Sequence, residues 1–139
     1  MIVLDTNVLS ELLRPVPEPS VVAWIDDQPR ASLFTTTVTR GEILYGVLLL
    51  PDGKRRQGLW DAATRIFDED LAGHVLNFDR AAADLFAEIA ASRRAAGKPI
   101  SQFDAMIVSI ARSRGASLAT RNVQDFVDCG IDILNPWEK

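Results

Sequence analysis

A chain of 139 residues, 47% of them apolar, has the size of one ordinary domain and enough apolar mass for a well-buried core. Its net charge of −4 gives no basic surplus of the kind that most nucleic-acid binders show. The single cysteine, Cys129, excludes an intrachain disulfide, and the longest apolar stretch, near Ile43 to Leu50, is too short to cross a bilayer.

In chain order, Met1 to Leu4 is short, β-branched and continuously apolar, as a buried strand is. Thr6 to Leu13 reads as a helix, stopped by the Pro15-Val16-Pro17-Glu18-Pro19 loop. Ser20 can cap a second helix that runs through about Asp27. Leu33 to Thr36 is a second strand, followed by a helix from about Arg40 to Leu50 and a break at Pro51-Asp52-Gly53. Lys54 to Phe67 reads as another helix, and His74 to Asn77 as a short strand. Arg80 to Ala96 is alanine-rich and strongly helical, with Gly97 and Pro99 as stop signals. Ser101 to Ser113 is helical, with Phe103, Met106, Ile107, Ile110 and Ala111 on one face. Ser117 to Ala119 is a strand, Asn122 to Asp128 a short helix, and Ile131 to Leu134 a last strand.

Short apolar strands alternating with helices predict an α/β fold: three α/β/α layers around a mainly parallel sheet, formed by one domain over residues 1–139. No repeat or linker interrupts it. The N-terminus lacks a basic stretch ahead of an apolar one, so no signal peptide is expected and a cytoplasmic location is.

Ligand sites in such folds lie beyond the carboxyl ends of the strands. Four acids are expected there. Asp5 ends the first strand, Glu42 lies in the first turn of the helix after the second, and Asp125 in the first turn after Ser117 to Ala119. Asp104 opens the helix that feeds that same strand, so it begins at the edge where the strand ends. Each acid also has an ordinary use. Thr39-Arg40-Gly41-Glu42 fits a capping box, Ser101-Gln102-Phe103-Asp104 a weaker one, Asn122 and Asp125 suit a helix start, and Asp5 can itself be an N-cap. A helix start can serve both purposes.

Joint placement favours more than capping. Several ionised carboxylates on one rim repel, and without a cation some would take up protons through raised pKa values. A hard divalent cation with oxygen ligands resolves this. Mg²⁺ or Mn²⁺ fits, whereas one His and one Cys serve zinc poorly. Such an ion can activate water against a phosphodiester. Thr6, Asn7, Thr120 and Asn122 add hydrogen-bonding groups, and Arg40 and Arg121 are candidates to hold a nucleic-acid backbone.

Asp5-Thr6-Asn7, Glu42 within "TTTVTRGEILYG", Asp104 within "SQFDAMIVSIAR", and "LATRNVQDF" before "NPW" together resemble the PIN-domain ribonucleases of the VapC toxin type, in particular the FitB-like branch. The likeness spans essentially the whole chain in motif order. It implies a toxin of a type II toxin–antitoxin system that is a Mg²⁺- or Mn²⁺-dependent endoribonuclease, cutting RNA with a metal-activated water and leaving 5′-phosphate and 3′-hydroxyl ends. It also implies a homodimer and a small DNA-binding, VapB-like antitoxin. By position, Asp5 and Asp104 would be the principal metal ligands and Glu42 would complete an acidic triad. Relatives often carry Asp where this chain has Asn122, so Asn122 would be a hydrogen-bond partner or weak ligand and Asp125 would act through water.

Two rivals predict different things. A haloacid-dehalogenase-like phosphatase needs a second acid at position 7, where this chain has Asn7. A non-catalytic PIN-like module that binds RNA or protein would be expected to lack the acids. His74 and Cys129 read as structural. Trp24, Trp60 and Trp137 can stack on bases, but packing is their commoner use. The apolar and basic segment from Ile43 to Arg56 is a candidate dimer or antitoxin surface.

Overall fold

The computed structural model describes residues 1–138. Five strands form an all-parallel sheet in the order β3-β2-β1-β4-β5: β1 (Ile2–Leu4), β2 (Leu33–Thr36), β3 (Val75–Leu76), β4 (Ser117–Ala119) and β5 (Ile133–Leu134). Six α-helices connect them. They are α1 (Thr6–Leu12) and α2 (Pro19–Asp26) between β1 and β2, and α3 (Thr37–Leu48) and α4 (Lys54–Arg65) between β2 and β3. Helices α5 (Arg80–Ala95) and α6 (Gln102–Ser113) lie between β3 and β4. Parallel neighbours require such crossovers, because a tight turn can only join antiparallel strands.

The alternation of side chains along each strand builds the three layers. Val3 and Leu118 point into one core with Ile89, Ile107, Val108 and Ile110 from α5 and α6. Their neighbours Leu4 and Ala119 point into the other, with Val8, Leu9, Val21, Ile43 and Phe67. Burying a side chain of this size stabilises by about 1.5–3 kcal/mol, so both faces contribute substantially. Helix α6 is enclosed along most of its length, from Ala105 to Ala111. The expected apolar face is therefore too narrow, and Phe103, assigned to it, lies outside at the exposed first turn.

Several helix starts differ from expectation for local reasons. Helix α2 uses Pro19 at its first position, after Glu18, and Ser20 is inside it rather than capping it. A proline lacks only an N–H that would have been orphaned there. Helix α3 begins three residues early because Thr36, the last residue of β2, is its cap: its hydroxyl accepts from the Thr39 N–H at 3.0 Å. Glu42 is then the sixth helical residue, in the second turn, and the Thr39–Glu42 capping box does not form. Helix α4 passes into a π turn over Ile66–Asp70 instead of ending at Phe67. The stretch after Asn122 is a single 3₁₀ turn, Val123–Phe126.

The strand order places β1 between β2 and β4, so successive crossovers leave it in opposite directions. That switch point opens a crevice at the carboxyl edge of the sheet. Asp5 is the first residue beyond β1.

Candidate active site

Backbone pairing puts Asp5 in position before any side chain does. Its N–H donates to the Ala119 carbonyl at 2.9 Å, which extends the β1–β4 ladder by one residue, while α1 starts at once at Thr6. Asp5 is the N-cap of α1: Oδ1 accepts from the Thr6 N–H at 2.8 Å. The capping use and the pocket use coincide in one carboxylate. Oδ2 accepts from the Thr120 hydroxyl at 2.8 Å and from Asn7 Nδ2 at 3.3 Å.

Thr120, fully buried, is the hub of this network. Its oxygen donates to Asp5 and accepts from Asn7 Nδ2 at 3.1 Å and from the Asn122 N–H at 3.1 Å. Asn7 Oδ1 in turn accepts from the Arg121 N–H at 3.2 Å. Asn7 thus braces the start of α1 against the loop after β4, and a second acid that an aspartate-nucleophile phosphatase would need is absent there.

Glu42 reaches the same pocket from α3. The Thr6 hydroxyl donates to Oε1 at 2.9 Å. Since that proton is spent, the 3.1 Å contact between Thr6 and Thr39 is donated by Thr39, which accepts from Thr36 at 3.3 Å. A relay of hydroxyls from the "TTTVT" stretch therefore aims Glu42. Asp104 arrives from the opposite layer, in the first turn of α6, where Ser101 Oγ accepts from the Asp104 N–H at 3.3 Å.

Asp5, Glu42 and Asp104 line one open pocket of about 480 Å³ together with Thr6, Asn7, Glu11, Arg14, Arg121, Asn122 and Trp137. The other expected positions behave differently. Thr120 lies behind Asp5 in the hydrogen-bond network. Asp125 is exposed on the 3₁₀ turn and does not line the pocket, although its charge is close enough to push Asp104 upward. Arg40 is elsewhere: it pairs with Asp68 at 2.7 Å and lies over the Phe67 ring at 5.4 Å. It is therefore not a rim group.

Burial raises the Asp5 carboxyl to about 6; hydrogen bonds from Thr120 and the Thr6 N–H oppose this, and the charges of Asp104 and Glu42 add to it. Glu42 is also pushed up, first by burial and then by Asp104, and Asp104 is pushed up by burial and then by Asp125. The direction is the one expected for crowded carboxylates. The main cause is different: lost hydration outweighs mutual repulsion.

Every donor in the pocket that could meet a metal is oxygen, which suits a hard cation. Among the described residues, no three His, Cys, Asp or Glu side chains already sit at ligand spacing. The carboxylates instead hold their hydroxyl and amide partners around the cavity. That arrangement fits an ion held by one or two carboxylates while keeping water and substrate oxygens, as Mg²⁺ commonly is. Glu11 and Arg14 are lining residues that sequence reasoning missed, and Trp137, which it favoured for packing, also reaches the pocket. Glu11 and Arg14 carry no motif signature, since an i,i+3 acid–base pair on a helix is an ordinary surface feature.

The fold and this pocket define the class. The PIN domain family matches residues 2–128, and the chain belongs to it. The VapC ribonuclease Y4jK of Sinorhizobium fredii is 40% identical over 138 residues, covering 99% of each chain. The toxin FitB of Neisseria gonorrhoeae is 35% identical over 137 residues, again covering 99% of each. In three dimensions the chain is similar to one in the structure of FitAB bound to an IR36 DNA fragment, with a TM-score of 0.93 and 34% identity over 100% of this chain and 97% of that one.

The two residues read as structural are so. His74 Nδ1 contacts the Leu33 carbonyl at 2.8 Å and its ring stacks on Phe34. Cys129 is buried in the α5–α6 core. No helix of the described residues is long and apolar enough to cross a membrane.

Proposed function

We propose that this chain is the toxin of a type II toxin–antitoxin pair, a single nuclease domain over residues 1–139 that cuts RNA phosphodiesters. The observation that carries the reading is the meeting of Asp5, Glu42 and Asp104, from three separate elements, around one pocket, with Asp5 buried and, among the described residues, in no ion pair. The similarity to a VapC ribonuclease and to the toxin FitB over nearly the whole chain supports the same conclusion.

Asp5 and Asp104 would hold Mg²⁺ or Mn²⁺, with Glu42 between them and Asn122 at the edge. When bound, the ion supplies activation of water and neutralisation of charge on the phosphate. The protein does the rest. Thr120 and the Thr6 N–H fix the Asp5 carboxylate, and the Thr36–Thr39–Thr6 relay fixes Glu42, so the pocket is oriented before substrate arrives. Asp125 acts from outside through its charge on Asp104. Arg121 meets the RNA strand. The likeness to a FitAB complex on DNA supports a small DNA-binding, VapB-like antitoxin as partner, and the family resemblance a homodimer in the cytoplasm. Exposed Tyr45 and Leu48 on α3, with Leu49 at its C-cap, offer an apolar face for such assembly.

The test is incubation of the purified protein with total cellular RNA in Mg²⁺ and in EDTA, followed by analysis of the fragment ends. Mg²⁺-dependent cutting to 5′-phosphate and 3′-hydroxyl ends is expected. Equal cutting in EDTA would overturn the metal mechanism, and no cutting in either would make the chain a non-catalytic module.

A further inference from the structure

The described arginines that are near carboxylates mostly pair with them. Arg14 is 3.2 Å from Glu11, Arg40 is 2.7 Å from Asp68, and Arg114 is 3.6 Å from Asp79. Arg121 is the exception that matters. It lines a pocket with four carboxylates, Asp5, Glu11, Glu42 and Asp104, is exposed, and makes no ion pair among the described residues. Its guanidinium lies over the Trp137 ring instead, 5.3 Å from the centroid.

Both members of this pair are anchored from behind. The Trp137 N–H donates to Asn135 Oδ1 at 3.0 Å, and the indole packs against the core beneath α1–α4. The Arg121 N–H donates to Asn7 Oδ1, and Asn7 is bonded to Asp5 and Thr120. The guanidinium therefore sits over an indole at the pocket wall and, among the described residues, pairs with none of the pocket's acids. Guanidinium planes and indoles are surfaces on which unpaired bases stack, with little regard to base identity.

We propose that Arg121, laid on Trp137, is a stacking platform for an unpaired base of a single-stranded RNA whose neighbouring phosphate enters the acidic pocket. The inference rests on the nuclease reading for the strand's path, and it adds a recognition element which that reading does not require. It would select flexible, unpaired RNA over duplex, because a base in a helix cannot leave its stack to lie on the rim.

Stacking and simple charge attraction separate when the planar guanidinium is replaced by an ammonium. The experiment measures binding of a 12-nucleotide oligouridylate and of an abasic ribose-phosphate strand of equal length. It uses wild type, Arg121→Lys and Trp137→Leu, with Ca²⁺ in place of Mg²⁺ and a melt to check folding. Wild type should bind the base-bearing strand about tenfold more tightly. Arg121→Lys should bind both strands about equally, and folded Trp137→Leu should do the same. If Trp137→Leu does not fold, Arg121→Lys decides alone. A base preference that survives in Arg121→Lys, or none in a wild type that still cuts RNA with Mg²⁺, overturns the platform and leaves the nuclease reading standing. A wild type that shows the preference but never cuts RNA leaves the platform standing and removes the nuclease. Neither binding nor cutting removes both.

Discussion

Asp5 and Arg93 lie almost equally deep, at 2% and 6% exposure, and the fold treats them in opposite ways. Arg93, on α5, spends its guanidinium on neutral groups: Nε donates to the Lys98 carbonyl at 2.7 Å, and Nη1 to the carbonyls of Asp125 and Val127 at 2.9 and 3.0 Å. The Cys129 sulfur, 3.4 Å from Nη1, closes the ring. These bonds strap the loop leading to α6 and the 3₁₀ turn after β4 against one helix. Asp5 receives hydrogen bonds too, yet it is crowded by two further carboxylates and, among the described residues, makes no ion pair. One buried charge is answered wholly from within the chain, and the other is left in conflict. A conflict that folding tolerates at the switch point of a sheet marks a place kept for something outside the chain.

The largest effect that sharpens this contrast is on activity. Asp5→Asn should lower the rate on a defined RNA by about a thousandfold, because a site built on charge placement loses at least as much as one that loses a single oxyanion donor. The same substitution should leave the fold intact. Single-turnover rates and a urea melt on the same sample check both parts.

Arg93→Ala should do the reverse. It leaves three part-buried carbonyls without their donor and should cost about 3 kcal/mol in urea unfolding, with any loss of activity following the loss of folded protein.

The third effect is a pH dependence without metal. The Asp5 carboxyl is about 6 in the fold against an ordinary value of 3.8. A raised acid binds its proton more tightly in the folded state. Its contribution to stability is therefore fully present below about 3.8 and is lost as pH rises through about 6. The loss should reach about 2–3 kcal/mol by pH 7 and vanish in Asp5→Asn. Unfolding curves in EDTA across that interval measure it.

The smallest is Thr120→Val. It removes the hydrogen bond that holds the Asp5 carboxyl down, at about 1 kcal/mol, and should move that pH midpoint upward.

The contrast also explains what was legible in the sequence. The strands Leu33–Thr36 and Ser117–Ala119 agree with expectation to the residue, because short runs set between a turn signal and the next helix start leave few alternatives. Topology anticipated the meeting of Asp5, Glu42 and Asp104, but on the same grounds it also put Asp125 there, and Asp125 does not line the pocket. It did not give position within a helix: Thr36 serves both strand and cap, which moved Glu42 into the second turn. Arg40 and Arg121 looked alike in sequence. Which one faces the pocket depends on Asp68 and Trp137, 28 and 16 residues away, and on packing that no local pattern records. The Arg93 strap was invisible for the same reason, since its partners are backbone carbonyls and carry no residue signature.

The claim at the centre is that Asp5, Glu42 and Asp104 form one site whose charge awaits a divalent cation. Calorimetric titration of Mn²⁺ at pH 6, in two buffers of different ionisation enthalpy, tests it directly. Wild type should bind Mn²⁺ with release of protons, as the Asp5 carboxyl, raised by burial to about 6, gives its proton up, and binding should fall sharply in Asp5→Asn and Asp104→Asn. Mn²⁺ binding of equal strength in wild type and both variants, or no binding in wild type, would contradict it.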